Sequence, residues 1–295
     1  MDDCPTRPGH WPGAINAGRF ASLIQHDSAD GCRVALLGLP DDTGVGLNGG
    51  RVGAAGGPDA FRAALACYGA AEPSGFAWPG VFDAGDVEPT GDLDRTHDRV
   101  SQASEAIVRS GLIPVGIGGG HDLTYALVRG VIRGDPGRWA GVYFDAHLDV
   151  RPDPGSGMSF RRLVEDCGVC GLYVHGLDPL VNSREHLRWF EAHGGRIDAF
   201  EPTDSWPIQP GDRCFVSLDL DVIDASFAPG VSATNPNGWS PDLAGRWAEA
   251  AGRHPAVRCM DIMELNPAFD PDGRTARLAA HLFLRFLRGL AGRED

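Results

Sequence analysis

The chain has 295 residues, a net charge of −14 and 42% hydrophobic residues, which suits one large α/β domain or two small ones. The acidic charge argues against a surface for nucleic acid or anionic membrane, because both require clustered Lys and Arg. The sequence has no apolar run of about 18 residues, so it predicts no membrane span. Seven scattered cysteines and no signal-peptide pattern predict a cytoplasmic protein without a disulfide framework.

Apolar runs alternate with helical patterns along the chain. In chain order, the predicted strands are 33–39, 80–83, 112–117, 141–144, 171–175, 197–200, 213–218 and 257–263. The predicted helices are 60–66, 92–109, 123–132, 159–166, 183–193, one that begins after Ser240, and 275–290. A long loop is expected at 41–51.

This alternation predicts an α/β fold with a parallel sheet, as a single domain over residues 31–295. Residues 1–30 are polar and predict an irregular N-terminal arm over the surface. Strand spacing alone leaves a doubly wound sheet and a barrel both open. Either architecture places its functional site at the carboxyl ends of the strands.

Side chains that can bind metal follow three of the predicted strands. Alternate residues of an extended backbone point to the same side, so those of segment 145–149 are expected to emerge together. Carboxylate oxygen and imidazole nitrogen suit a divalent metal such as manganese. The candidate ligands are His121, Asp145, His147, Asp149, Asp219 and Asp221.

Six ligands with four carboxylates exceed the needs of one tetrahedral metal and predict two divalent ions that share carboxylates. Two such ions lower the pKa of a bound water toward neutrality, so no separate general base is required. The alternative is that these residues only cap helices or stabilise loops. Three separate clusters, each at a strand end, favour the metal site.

The same segments resemble the signatures of the ureohydrolase family, which contains arginase, agmatinase and formimidoylglutamase. The matching segments are 118–121, 145–149, 217–224, 228–232 and 264–267. The resemblance implies a three-layer, doubly wound sheet of eight mostly parallel strands, a homo-oligomer and two Mn²⁺ ions. It also implies hydrolysis of an amidine or guanidine carbon–nitrogen bond. Similar deacetylases keep one zinc, whereas this chain has the second-metal residues His121, Asp149 and Asp221.

Glu264 is expected at the end of a buried strand, where an unpaired carboxylate is costly. A cationic amidinium bound against it would explain its position. The resemblance implies this role, and it implies that Asp149 and Glu264 are catalytic. The alternative is a salt bridge from Glu264 to Arg274 or Arg277.

Within the family, the chain looks most like the formimidoylglutamases. It has Ser156 and Gly157 where arginases have a histidine-glycine pair, and Arg151 directly after the aspartate-rich segment. Arg151 could form a bidentate pair with a substrate carboxylate, or it could point outward over the loop. Arg51 could be a second carboxylate anchor or purely structural, and Ser156 is a further candidate for substrate binding.

The leading hypothesis is hydrolysis of N-formimidoyl-L-glutamate to L-glutamate and formamide. The substrate would then be a small amidine or guanidine that carries a carboxylate. One alternative is a guanidino hydrolase that releases urea, similar to agmatinase, guanidinobutyrase or arginase. Another is a non-catalytic protein that binds metal or ligand on the same fold.

Overall fold

A computed structural model of the chain describes residues 5–72, 76–203 and 206–293. The strands are β1 (Thr6–Arg7), β2 (Cys32–Leu39), β3 (Gly80–Val87), β4 (Ile113–Gly118), β5 (Trp139–Phe144), β6 (Leu172–His175), β7 (Arg196–Ile197), β8 (Arg213–Asp219) and β9 (Val257–Met263). They form one sheet in the order β1-β3-β2-β4-β9-β8-β5-β6-β7. Each neighbouring pair is parallel except β1 and β3, which are antiparallel.

Helices cover both faces of this sheet. They are α1 (Thr43–Leu47), α2 (Gly57–Leu65), α3 (Leu93–Arg109), α4 (Leu123–Gly134), α5 (Ser159–Cys167), α6 (Arg184–Ala192), α7 (Pro241–Arg253) and α8 (Arg274–Ala291). Helices α2, α7 and α8 pack together on one face, and α3, α4 and α5 pack on the other. Among the described residues, no helix is both long enough and apolar enough to cross a bilayer.

Strand β5 illustrates how the sequence fills both layers. Phe144 packs against Trp247 of α7, with ring centroids 5.1 Å apart. Its neighbour Tyr143 stacks on Phe160 of α5, with centroids 3.6 Å apart. Successive side chains of a strand point to opposite faces, so a strand covered by helices on both sides is apolar throughout. This burial accounts for the continuous apolar runs in the sequence.

The predicted α/β, doubly wound and mostly parallel sheet is confirmed, and the open sheet excludes the barrel. The prediction of eight strands was one short, because β1 adds a ninth strand at the edge of β3. A strand of two residues is too short to produce a recognisable alternation of apolar and polar residues. The predicted loop at 41–51 contains the short helix α1, and the predicted strand at 197–200 was wrong in extent, because β7 covers only Arg196–Ile197.

The segment predicted as an irregular arm contains β1 and one turn of 3₁₀ helix at Phe20–Leu23. Phe20 and Ile24 are buried in the same apolar cluster as α8. The indole N–H of Trp11 donates to Asp83 Oδ2 at 2.6 Å. Residues of this segment therefore contribute to the core, while the domain boundary at residue 31 stays a prediction.

A buried ion cluster lies beside this segment. Arg62 is 1% exposed, and its Nε and one Nη each lie 3.0 Å from an oxygen of Asp83. Its other Nη donates to Asp86 Oδ1 at 2.6 Å. Replacing Arg62 by alanine would leave two buried carboxylates without a cation. We expect Arg62→Ala to lower the free energy of unfolding by about 3–5 kcal/mol, measured by urea denaturation.

Arg109 provides the matched control, since its side chain is 65% exposed and pairs with Glu105 on the same helix. We expect Arg109→Ala to change the free energy of unfolding by less than about 1 kcal/mol. Equal destabilisation by the two variants would contradict a structural role for the Arg62 cluster.

Candidate metal centre

Four adjacent strands end at one site. The sheet order places β4, β9, β8 and β5 side by side, and all four are parallel. Their carboxyl ends therefore bring together residues that are far apart in the chain, such as His121 and Glu264. The glycine run before His121 permits close packing, because a Cβ on Gly119 would lie 2.3 Å from the carbonyl oxygens of Leu39 and Asp41.

The segment 145–149 does not continue the extended backbone of β5, which ends at Phe144. The side chains of Asp145, His147 and Asp149 therefore do not meet because they alternate along a strand, and that prediction was wrong. Instead, Asp145 Oδ1 accepts the backbone N–H of His147 at 2.6 Å, which forms an Asx-type turn. Asp219 Oδ1 accepts the backbone N–H of Asp221 at 2.8 Å in the same way.

Two residues of the site have backbone conformations that are unusual for side chains with a Cβ. Asp149 has φ 47° and Glu264 has φ 64°. Such conformations cost on the order of 1–3 kcal/mol each and persist where the surrounding structure imposes them. Both residues therefore hold their side chains in the site at the cost of a less stable local backbone.

The structure brings all six candidate ligands together in two groups. In the first group, His121 Nδ1 lies 3.2 Å from Asp145 Oδ2, 2.9 Å from Asp149 Oδ2 and 3.0 Å from Asp219 Oδ2. In the second group, His147 Nδ1 lies 3.3 Å from Asp145 Oδ1 and 3.0 Å from Asp221 Oδ2. The ligand atoms of each group lie within 4.8 Å of one another. Asp145 therefore gives one oxygen to each group.

Hydrogen bonds fix the tautomer of His121. Burial raises the pKa of Asp261 to about 6, so this carboxylate is ionised at pH 7 and only accepts. Ser217 Oγ donates to Asp261 Oδ1 at 2.6 Å, and His121 Nε2 lies 2.9 Å from Ser217 Oγ. Because Ser217 has used its only proton, His121 Nε2 must be the donor. Where a cation replaces the Nδ1 proton, His121 would be neutral and its Nδ1 lone pair would be available as a metal ligand.

The electrostatics of this arrangement require added positive charge. Burial alone would lower the pKa of His121, but Asp219, Asp145 and Asp149 raise it well above its usual value. Burial and the Asp221 carboxylate raise the pKa of Asp219 well above its ordinary range. Three ligand atoms are buried without a hydrogen-bond partner among the described residues, namely His121 Nδ1, Asp145 Oδ2 and Asp221 Oδ1. This donor set fits two divalent cations that share Asp145.

A cavity of about 160 Å³ opens onto the cluster. Arg151 and Ser156 line it, as predicted for residues near the substrate, but Arg51 does not. Asn48 Nδ2 donates to Ser156 Oγ at 2.9 Å, which fixes the serine on the wall. Besides these and the cluster, the wall includes Gly50, Ser232, Ala233 and Glu264.

Glu264 is held at the base of this cavity by one of its two oxygens. Its Oε1 accepts the backbone N–H of His121 at 3.0 Å, while Oε2 is buried with no partner among the described residues. Burial raises the pKa of Glu264 to about 8, so the charged form is costly unless a cation lies close by. Arg274 pairs with Asp272 instead. Glu264 therefore has an oxygen free to bind a cationic group.

Comparison with known proteins agrees with this geometry. A sequence model described as "Arginase family" matches residues 32–288. The chain belongs to the arginase family. A formimidoylglutamase of Aromatoleum aromaticum is 35% identical, with 96% of this chain and 90% of that protein covered. A formimidoylglutamase of Geobacillus thermodenitrificans is 34% identical, with 83% and 81% covered.

Solved structures extend this likeness to the fold of the arginase family. The crystal structure of Trypanosoma cruzi formiminoglutamase with Mn²⁺ matches with a TM-score of 0.84 and 28% identity. The match covers 94% of this chain and 99% of that one. The resemblance inferred from the sequence motifs is therefore confirmed at the level of family and fold.

Sequence reasoning missed several residues of this arginase-family site. Asn48, Ser232 and Ala233 lie in loops, where no periodic pattern reports which side chains face a cavity. The sequence could have identified Ser217 and Asp261 as residues near the site. Ser217 alternates with Asp219 on β8 and so shares its face, and Asp261 is a lone carboxylate within the apolar run of β9.

The hydrogen bond from His121 to Ser217 leads to a prediction about metal affinity. We expect Ser217→Ala to weaken Mn²⁺ binding by about 10- to 100-fold, because the His121 tautomer is no longer fixed. Isothermal titration calorimetry measures this directly. Ser104→Ala is the matched control, since Ser104 is fully buried on α3 and bonds to Leu127 O. Equal Mn²⁺ affinities for the two variants would exclude this role for Ser217.

Proposed function

We propose that this chain hydrolyses N-formimidoyl-L-glutamate to L-glutamate and formamide, with two Mn²⁺ ions at the cluster. The observation that carries the proposal is Glu264, whose Oε2 is buried without a partner among the described residues, in the wall of the cavity that five of the six metal-binding side chains also line. Relatives named formimidoylglutamase at 35% and 34% identity support this substrate. The Mn²⁺ in the Trypanosoma cruzi structure supports the choice of metal.

Glu264 would orient the reacting group. Its Oε1 is fixed by the His121 N–H, so the position of Oε2 is fixed as well. That oxygen would accept an N–H from the protonated formimidoyl group and hold the reacting carbon over the cluster. Ionised Glu264 and the cationic amidinium stabilise each other, which offsets the cost of burying the carboxylate.

The cluster would supply the nucleophile and receive its proton. The six side chains would hold two divalent ions, whose chemistry when bound would be to lower the pKa of a water toward neutrality. Among the cluster carboxylates, Asp149 has the most exposed side chain, at 14%, against 0% for Asp145. It is therefore the carboxylate best placed to accept the proton of the attacking water. Asp149 would then donate this proton to the nitrogen of the departing glutamate as the carbon–nitrogen bond breaks.

Arg151 would bind the glutamate end of the substrate. Its side chain is exposed and lines the cavity, beside Ser156. We expect Arg151→Ala to raise KM by about 10- to 100-fold, the effect of losing charge-assisted hydrogen bonds, with both metals retained. Steady-state kinetics and metal analysis measure the two quantities.

Arg161→Ala is the matched control for this variant, because Arg161 lies on α5 and pairs with Glu165. Its KM is expected to equal that of the unmodified chain. An unchanged KM in Arg151→Ala would remove Arg151 from substrate binding.

The substrate is tested by incubating the Mn²⁺-loaded protein separately with formimidoylglutamate, arginine, agmatine and guanidinobutyrate. We expect glutamate and formamide from the first compound and no urea from the others. If the protein hydrolysed only a guanidino compound, the proposed substrate would be wrong. Two bound metals without any product would favour the non-catalytic binding protein.

The proposal also includes a cytoplasmic location and a homo-oligomer. The six cysteines among the described residues are free thiols, which supports a reducing compartment. Size-exclusion chromatography with light scattering measures the oligomeric state, and a monomer would contradict that part of the proposal.

A further inference from the structure

Arg51 joins the loop 230–233 to its own loop beside the cavity. Its Nε donates to Ser232 O at 2.9 Å, and one Nη donates to Val231 O. Its backbone N–H also donates to Ser232 Oγ at 3.0 Å. Three hydrogen bonds from one residue thus fix the segment that supplies Ser232 and Ala233 to the cavity wall.

The same residue is tied to the loop that follows Glu264. The Arg51 guanidinium carbon lies 4.1 Å from the ring centroid of Phe269, a cation–π contact. The backbone carbonyl of Arg51 accepts Asn266 Nδ2 at 2.7 Å, and Asn266 is fully buried. The Asn266 backbone N–H donates to Gly230 O at 2.8 Å, which closes the connection between the two loops.

These contacts leave little of Arg51 for a substrate. Two of its guanidinium nitrogens donate to backbone carbonyls, and the Phe269 ring covers one face of the group. The side chain does not line the cavity, whereas Gly50, Ser232, Ala233 and Glu264 do. Arginine suits such a role, because its planar group can donate in two directions while it stacks on an aromatic ring.

We propose that Arg51 is a positioning residue that holds the loops 230–233 and 264–269 against each other. Its side chain fixes the segment of Ser232 on the wall and contacts Phe269 in the loop that follows Glu264, while its backbone carbonyl accepts from Asn266. The side chain acts through these neighbours and does not touch the substrate. The inference deepens the proposed function, and its kinetic test rests on that function.

Hydrogen exchange tests the positioning role without any substrate. In Arg51→Ala, we expect amide exchange in peptides covering residues 228–234 and 262–270 to become about 10-fold faster or more, as expected for local opening. Arg109→Ala, on an exposed part of α3, is expected to leave these rates unchanged. Unchanged exchange in Arg51→Ala would overturn the proposal.

Arg51→Lys separates bridging from charge. Lysine keeps the positive charge but cannot donate from a planar group to two carbonyls while it stacks on Phe269. We expect the amide exchange rates of Arg51→Lys to rise as in Arg51→Ala. If Arg51→Ala does not fold, Arg51→Lys provides the test in its place. Exchange rates equal to those of the unmodified chain would contradict a bridging role.

Kinetics with two substrates separates positioning from direct binding. The pair is N-formimidoyl-L-glutamate and N-propylformamidine, which has no carboxylate. A positioning residue predicts that Arg51→Ala lowers kcat/KM for both by the same factor, because Glu264 serves both. A loss confined to the carboxylate-bearing substrate would make Arg51 an anchor and overturn the proposal. If the unmodified chain hydrolyses neither compound, the proposed function fails, and hydrogen exchange still decides the role of Arg51.

Discussion

Asp145→Ala is expected to abolish stable binding of both cations and to lower kcat/KM on the order of 10⁴-fold, since a water that is not activated is a poor nucleophile. Asp145 gives Oδ2 to the group around His121 and Oδ1 to the group around His147. It is fully buried, and the two imidazoles lower its pKa to about 2 against the opposing effect of burial. Inductively coupled plasma mass spectrometry measures the metal content after dialysis.

Asp221→Ala is the matched comparison for Asp145→Ala. Asp221 belongs only to the second group, where it lies 3.0 Å from His147 Nδ1. We expect this variant to keep one cation per chain, held by His121, Asp149 and Asp219. Two cations retained in Asp145→Ala, or equal losses in the two variants, would contradict the shared role of Asp145.

Glu264→Gln is expected to lower kcat/KM by about 10²- to 10³-fold, the usual effect of removing one group that stabilises charge in the transition state. Glutamine keeps the shape of the side chain, and its oxygen can still accept the His121 N–H. It lacks the negative charge that would hold an amidinium. Steady-state kinetics together with metal analysis distinguish this loss from a loss of metal.

Two retained metals with unchanged kcat/KM in Glu264→Gln would exclude Glu264 from substrate binding. A loss of metal in the variant would instead indicate that Glu264 supports the cluster through His121. The Ser217→Ala variant provides the comparison, because it is expected to weaken metal binding while the Glu264 carboxylate stays intact.

The sequence identified the strand ends at which the cluster forms. Asp145, Asp219 and His121 each follow an apolar run, and carboxyl ends of parallel strands meet at one edge of a sheet. Chain order alone did not place β8 and β9 between β4 and β5. That arrangement depends on tertiary packing, and it explains why Asp219 and Glu264 meet residues from the first half of the chain.

Local patterns failed where side chains redirect the backbone. The turns at Asp145 and Asp219 replace the extended backbone that the alternating residues suggested. The contacts of Arg51 could not be predicted from the sequence, because Val231, Asn266 and Phe269 become its neighbours only in the fold. Loop residues acquire their contacts from packing between distant segments, and periodicity carries no information about such contacts.

Anomalous diffraction at the manganese absorption edge, from crystals grown with Mn²⁺, tests the central claim most directly. We expect two peaks about 3.5–4 Å apart, as in two-metal sites, one bound by His121 and the other by His147, with Asp145 contacting both. A single peak at the cluster, or manganese bound only elsewhere, would contradict the two-cation site on which the proposed hydrolysis depends.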